Sequence, residues 1–242
     1  MKKPQPKALL IAAGMDTAQV EKLQRQFGAR FLEAVAKCPT LIADLKDIHT
    51  HGITIRKVGG HCQAYSIRKR KSIYVGSKCK LTYQLISVGH EKIHVIDSPT
   101  PDAVPGVTGR QWFIDACLDG ETDSIVHEVI IAGELLAAGY EVDAHSLKWH
   151  RRFQKGGRAA IRKAIEEAFT SNTGEKYPEY YGFWYDEVVK PSKRLPLAGT
   201  TQPRRVLGPD PCPRFTVGAG CVHLNPAFLQ EDESDAAEES GT

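Results

Sequence analysis

Apolar positions recur at helical spacing from about residue 15 to 46. Asp16 or Thr17 can cap a helix through Phe27, and the pattern continues through Phe31, Leu32, Val35, Leu41, Ile42 and Leu45. The rhythm then changes. Residues 53–58 alternate in part, Gly59-Gly60 supplies a turn, and 62–67 resume an extended pattern. The basic run Arg68-Lys69-Arg70-Lys71 suits a solvated hairpin end before 72–76. Two or three antiparallel strands are expected here.

Helical spacing returns over 81–96, with Leu81, Leu85, Val88 and Ile93 as packing positions. Three prolines make 97–109 a loop, and a second apolar helix is expected over 123–138, capped by Asp123 and ended by Gly139. Amphipathic basic segments follow at 147–153 and 158–169, separated by Gly156-Gly157. Residues 177–185 are aromatic, and prolines and glycines dominate from 195 onward. The division expected is an N-terminal segment (1–14), one domain (15–228) and a tail (229–242).

The pentapeptide His90-Glu91-Lys92-Ile93-His94 changes the picture from fold to chemistry. On a helix, residues four apart lie one above the other, so both imidazoles can face one metal ion. Zinc accepts neutral imidazole nitrogens, and a catalytic site keeps one position for water. Glu91 sits about 100° round the helix, beside the metal, where it can act as general base.

A third ligand is sought on the 123–138 helix, which is apolar nearly all round and therefore buried. Its interrupting polar residues need partners. Glu128 shares a face with Ile125, Ala132 and Leu135, whereas His127 and Glu134 share another. Glu128 is the first choice, with Glu134, His127 and Asp97 as alternatives. A purely structural Glu128, satisfied near a helix end, is the remaining alternative.

The order of strands, an HExxH helix and a second acidic helix resembles the zincin metallopeptidases, over roughly residues 50–145. Within them it resembles the gluzincin branch, and among those the compact metallopeptidases proposed for bacterial effectors and polymorphic toxins. The metzincin extension is absent, because Asp97 and Thr100 stand where Gly and His are needed. A zinc-ribbon cysteine set of the Spartan type is absent too.

The resemblance implies an α+β, zincin-like fold: a small antiparallel or mixed sheet on the HExxH helix, a second ligand-bearing helix and additional C-terminal helices. It implies zinc as cofactor, a protein or peptide substrate, and Glu128, followed by Ala132 and Ala138-Gly139, as the glutamate ligand. It also implies substrate held by β-addition along 72–75, taken as an edge strand, and an oxyanion donor of the Tyr or His type. His145 is named for that role, with the tyrosines of 177–185 behind it and aromatic core packing as their simpler explanation.

Charge and composition bound the alternatives. Six of the 29 acidic residues lie in 231–239 without a base, leaving 32 basic against 23 acidic residues elsewhere. A basic body with a disordered acidic tail follows. Arg68–Lys71 and the group His150, Arg151, Arg152, Lys155, Arg158, Arg162 and Lys163 could contact phosphates, but no nucleic-acid fingerprint accompanies them, so nucleic acid is a minor alternative. A zinc-binding module without activity is another. His49, His51 and His61 read as ordinary loop histidines. The six cysteines form no CxxC pair, which suits reduced thiols in the cytoplasm. No run of apolar residues is long enough to span a membrane, and no cleaved secretory signal is read at the N-terminus; export without one stays open.

Overall fold

The computed structural model describes residues 5–59, 63–98, 100–104, 106–170 and 173–189. Its architecture is α+β, with eight helices and one three-stranded mixed sheet among those residues. His61, Cys62, the pair Cys212 and Cys221, and the acidic tail lie outside them.

Four helices lead: α1 (Pro6–Ala12), α2 (Thr17–Phe27), α3 (Ala29–Val35) and α4 (Pro39–Thr50). Asp16 caps α2 as its sequence position suggests, its carboxylate accepting from Gln19 N at 2.8 Å. Leu10 of α1, Leu32 of α3 and Leu45 of α4 are fully buried against the sheet side of the molecule.

The strands are β1 (Thr54–Val58), β2 (Ala64–Ile67) and β3 (Ser72–Gly76), with a 3-10 turn at Arg68–Arg70. Their order is β1-β3-β2. β1 runs parallel to β3, in register Ile55 to Ile73, and β2 runs antiparallel to it, in register Ser66 to Ile73. Two expectations are thereby corrected. The sheet is not purely antiparallel, and 72–76 is the central strand, not an edge. Both sides of β3 are already hydrogen-bonded, so no substrate strand can be added there.

β3 leads into α5 (Leu81–Lys92), which continues as a π-turn at Ile93–Asp97. Ser98 N donates to Ile93 O, five residues back, at 2.8 Å. Gly89 lets α5 lie close to its neighbours. A Cβ there would stand 2.2 Å from Ile131 Cδ1 and 3.2 Å from both Asp44 Oδ2 and His127 Cδ2.

The second helix is far longer than its sequence pattern suggests. α6 spans Arg110–Ala137, and Asp123, expected as its cap, lies in its middle, bound by Arg158 at 2.9 Å. Gly139, with φ of 83°, ends it as expected. α6 is apolar nearly all round because it serves two cores. Ile131, Ala132 and Leu135 join the sheet, α1–α5 and Leu85; Phe113, Leu118, Ile125 and Val129 face α7 (Ala144–Glu167) and α8 (Tyr177–Val189). Gly156 and Gly157, at φ −151° and 58°, break α7 where the sequence places a break. No described helix is long and apolar enough to cross a membrane.

Candidate metal centre

α5 and α6 pack side by side, and the functional side chains lie between them. His90 lies in the last turn of α5 and His94 is the second residue of the π-turn, so the motif's second imidazole is carried by a widened turn. On α6, Glu121, Ser124 and Glu128 recur at i, i+3 and i+7, within about 60° of one another on one face. His90, Glu121 and Ser124 are almost wholly buried.

Three ligand atoms converge. His90 Nε2 and His94 Nε2 stand 3.0 Å apart, and Glu121 Oε2 lies 4.0 Å from the first and 3.6 Å from the second. Bonds of about 2.05 Å at tetrahedral angles put ligand atoms about 3.3 Å apart. The observed separations bracket that value. At 3.0 Å the two Nε2 atoms either form a hydrogen bond, with one neutral ring carrying its proton there, or turn both lone pairs to a shared metal ion. Among the described residues, Glu121 and Glu128 have the imidazoles as their only ion-pair partners, with no lysine or arginine. Buried carboxylates need such compensation, so the donor set fits a divalent cation of the zinc type.

Glu128, expected as the third ligand, occupies a different place. Its Oε1 approaches His90 Nδ1 at 2.9 Å, the ring nitrogen other than the one facing His94. A carboxylate there favours the tautomer protonated at Nδ1 and leaves the Nε2 lone pair for an ion. Burial lowers the His90 pKa, but the charge and hydrogen bonding of Glu128 and the charge of Glu91 together outweigh it, and the net shift is upward. Burial likewise pushes Glu121 up, and the His94 charge and hydrogen bond, the His90 charge and the Tyr181 hydrogen bond together more than reverse that, bringing it to about 2.

The alternatives are engaged elsewhere. Glu134 accepts from Thr40 N at 3.1 Å, Thr40 Oγ1 at 2.7 Å and Cys38 Sγ at 2.7 Å, capping the start of α4. His127 Nε2 pairs with Asp44 at 2.8 Å. Asp97 accepts from Lys92 Nζ at 2.6 Å, and that buried ammonium also faces Asp47 and Asp44 at 3.3 and 3.7 Å. Lys92 thus ties the π-turn to α4 on the face opposite the imidazoles.

His145, named as an oxyanion donor, lies on α7 with Trp149 Nε1 donating to its Nε2 at 3.0 Å. The contacts seen for it run along its own helix and not to the imidazole pair. Of the aromatic cluster, Tyr177, Tyr181 and Tyr185 form a buried stripe four residues apart. Tyr181 reaches the site, its hydroxyl donating to Glu121 Oε1 at 2.5 Å. Burial, then the neighbouring Glu121 charge, raises the Tyr181 pKa well above tyrosine's usual range, so it remains a donor. Glu91 is fully buried, and its carboxylate acts on the charge of His90.

Glu121 is the residue that sequence reasoning misses, whereas Tyr181 lies among the tyrosines of 177–185 named for an oxyanion donor but meets Glu121. Glu121 precedes the expected start of its helix, and Gly120 reads as a break. In the folded chain Gly120 keeps α6 close to the loop, a Cβ there lying 3.3 Å from Ser98 O. The signal present was the spacing Glu121, Ser124, Glu128. Two arginines of the basic segments are paired with acids: Arg158 with Asp119 and Asp123, and Arg162 with Asp115, Asp119 and Glu166. The cysteines described, Cys38, Cys79 and Cys117, are buried and not in disulfides. His49 and His51 lie at the end of α4, and His51 Nδ1 meets Asp47 O at 2.9 Å.

No family model, curated protein or solved structure matches the chain.

Proposed function

We propose that this chain is a zinc-dependent peptidase of the zincin type. The observation that supports the reading is the convergence of His90 Nε2, His94 Nε2 and Glu121 Oε2 in a buried space with Glu91 on the same helical turn. Three protein ligands leave one position for water, the arrangement of a catalytic rather than a structural zinc site. Bound there, zinc supplies Lewis acidity, acidifying a water and polarising a carbonyl.

The chain's own residues divide the remaining work. Glu91 accepts the proton of the attacking water and returns it to the leaving amine. Glu128 holds His90 in the tautomer that presents Nε2. Ser124 Oγ donates to Gly120 O at 3.0 Å and lies 3.3 Å from His94 Nε2, keeping α6 in register with the second imidazole. An extended substrate must be held by something other than β3, whose two sides are paired.

The Glu91→Gln variant tests the reading. It is expected to retain stoichiometric zinc and the wild-type fold while losing at least about 100-fold in peptide hydrolysis, the scale of general-base catalysis. Hydrolysis of an unstructured protein substrate by wild type, sensitive to a chelator and undiminished in Glu91→Gln, would refute it. Wild type that binds zinc but hydrolyses no peptide would favour a metal-binding module.

A further inference from the structure

Resting on the metal reading above, we infer that Tyr181 is a positioning residue that restricts Glu121 to binding through a single oxygen. A carboxylate can meet a metal ion with one oxygen or with both. Here the two oxygens are already distinguished. Oε2 is the atom that faces the imidazoles, at 3.6 and 4.0 Å, while Oε1 accepts the Tyr181 hydroxyl at 2.5 Å. Both partners of that bond are buried, so water does not compete for it. With Oε1 occupied, the ion receives two nitrogens and one oxygen from the protein, and a fourth position stays available.

Tyr181 also brings a distant element to the site. It belongs to α8, sixty residues after Glu121, and docks through the same aromatic stripe as Tyr185, whose hydroxyl donates to Thr108 O at 2.5 Å. The two tyrosines lie one turn apart on one face of one helix. One ends on the candidate ligand and the other on loop backbone. That pairing separates positioning of a ligand from docking of the helix.

The experiment compares wild type, Tyr181→Phe and Tyr185→Phe. Each variant keeps its ring and loses one hydroxyl. Zinc affinity is measured by competition with a chromophoric chelator, and coordination by the visible absorption of the Co(II)-loaded protein, which is intense for four-coordinate and weak for six-coordinate ions. Tyr181→Phe is expected to bind zinc about 10–100-fold more weakly, the cost typical of losing a ligand's outer partner, and to lose Co(II) band intensity as Oε1 joins the ion. Tyr185→Phe is expected to lower the melting temperature while leaving affinity and spectrum at wild-type values. Equal affinity and spectrum in Tyr181→Phe and wild type would overturn the inference. So would equal losses in both variants, since helix docking alone would then account for them. Wild type that takes up neither zinc nor Co(II) overturns the metal reading itself, a result distinct from either of these.

Discussion

Glu121 and Glu128 make opposite demands on the site, and neutralising each in turn measures which of them binds the ion. Glu121→Gln and Glu128→Gln preserve size and much of the hydrogen bonding but remove the charge. Apparent binding energies of structural zinc sites run to about 10–16 kcal/mol over four ligands, so one ligand is worth about 2.5–4 kcal/mol, or roughly 10²–10³ in affinity. Glu121 Oε2 shares the imidazole nitrogens' space, and its substitution is expected to cost that much. Glu128 touches His90 on Nδ1 and acts through the ring, for which about 10–100-fold is the usual loss. The assay is competition against a chelator of known affinity at constant pH, with circular dichroism confirming the fold. A larger loss in Glu128→Gln than in Glu121→Gln, or less than a tenfold loss in the latter, would refute the assignment. The third ligand would then be sought at Glu128.

Gly89→Ala is expected to destabilise by about 1–3 kcal/mol in urea unfolding, because the added methyl meets Ile131, Asp44 and His127 together. Helix propensity alone predicts a gain of about 0.8–1.0 kcal/mol, so a more stable variant would contradict the packing argument. Lys92→Met leaves Asp44, Asp47 and Asp97 facing one another without their shared cation. Solvent relieves the half-exposed Asp47 and Asp97, so a loss of about 3 kcal/mol is expected, and an unchanged unfolding midpoint would refute it.

The pH dependence should invert with metal. In metal-free protein the raised His90 pKa contributes stability below about pH 6.5 that is lost as pH rises through the folded value, while the lowered Glu121 pKa contributes above about pH 4.5 and is lost as pH falls toward about 2. Zinc needs neutral imidazoles, so the rise in melting temperature on adding zinc should be larger at about pH 8 than at about pH 5.5. An equal rise at both would count against imidazole ligation.

The chain's short-range signals were legible where one residue decides a local geometry. Asp16 caps α2, Gly139 ends α6 and Gly156-Gly157 breaks α7, because capping and positive φ are properties of the residue and its immediate neighbours. Strand existence was legible too, but strand direction was not. The parallel pairing of 54–58 with 72–76 depends on β3 returning from the β2–β3 hairpin into the place between β1 and β2, and local alternation carries no information about that.

The same distinction explains the site. His90 and His94 are four residues apart, and the sequence placed them together because one helical turn does so. Their partners come from other elements and are chosen by packing. α6 is buried on two sides, so its apolar pattern shows no helical period that could have located its start at Arg110, and Glu121 fell outside the expected helix. Once the helix is continuous, Glu121 and Glu128 lie two turns apart on the face that meets His90 and His94. Their backbone positions stand about 10.5 Å apart along that axis, and their carboxylates approach His90 at different ring nitrogens. Helix length therefore decides which glutamate stands beside the two Nε2 atoms and which meets His90 at Nδ1.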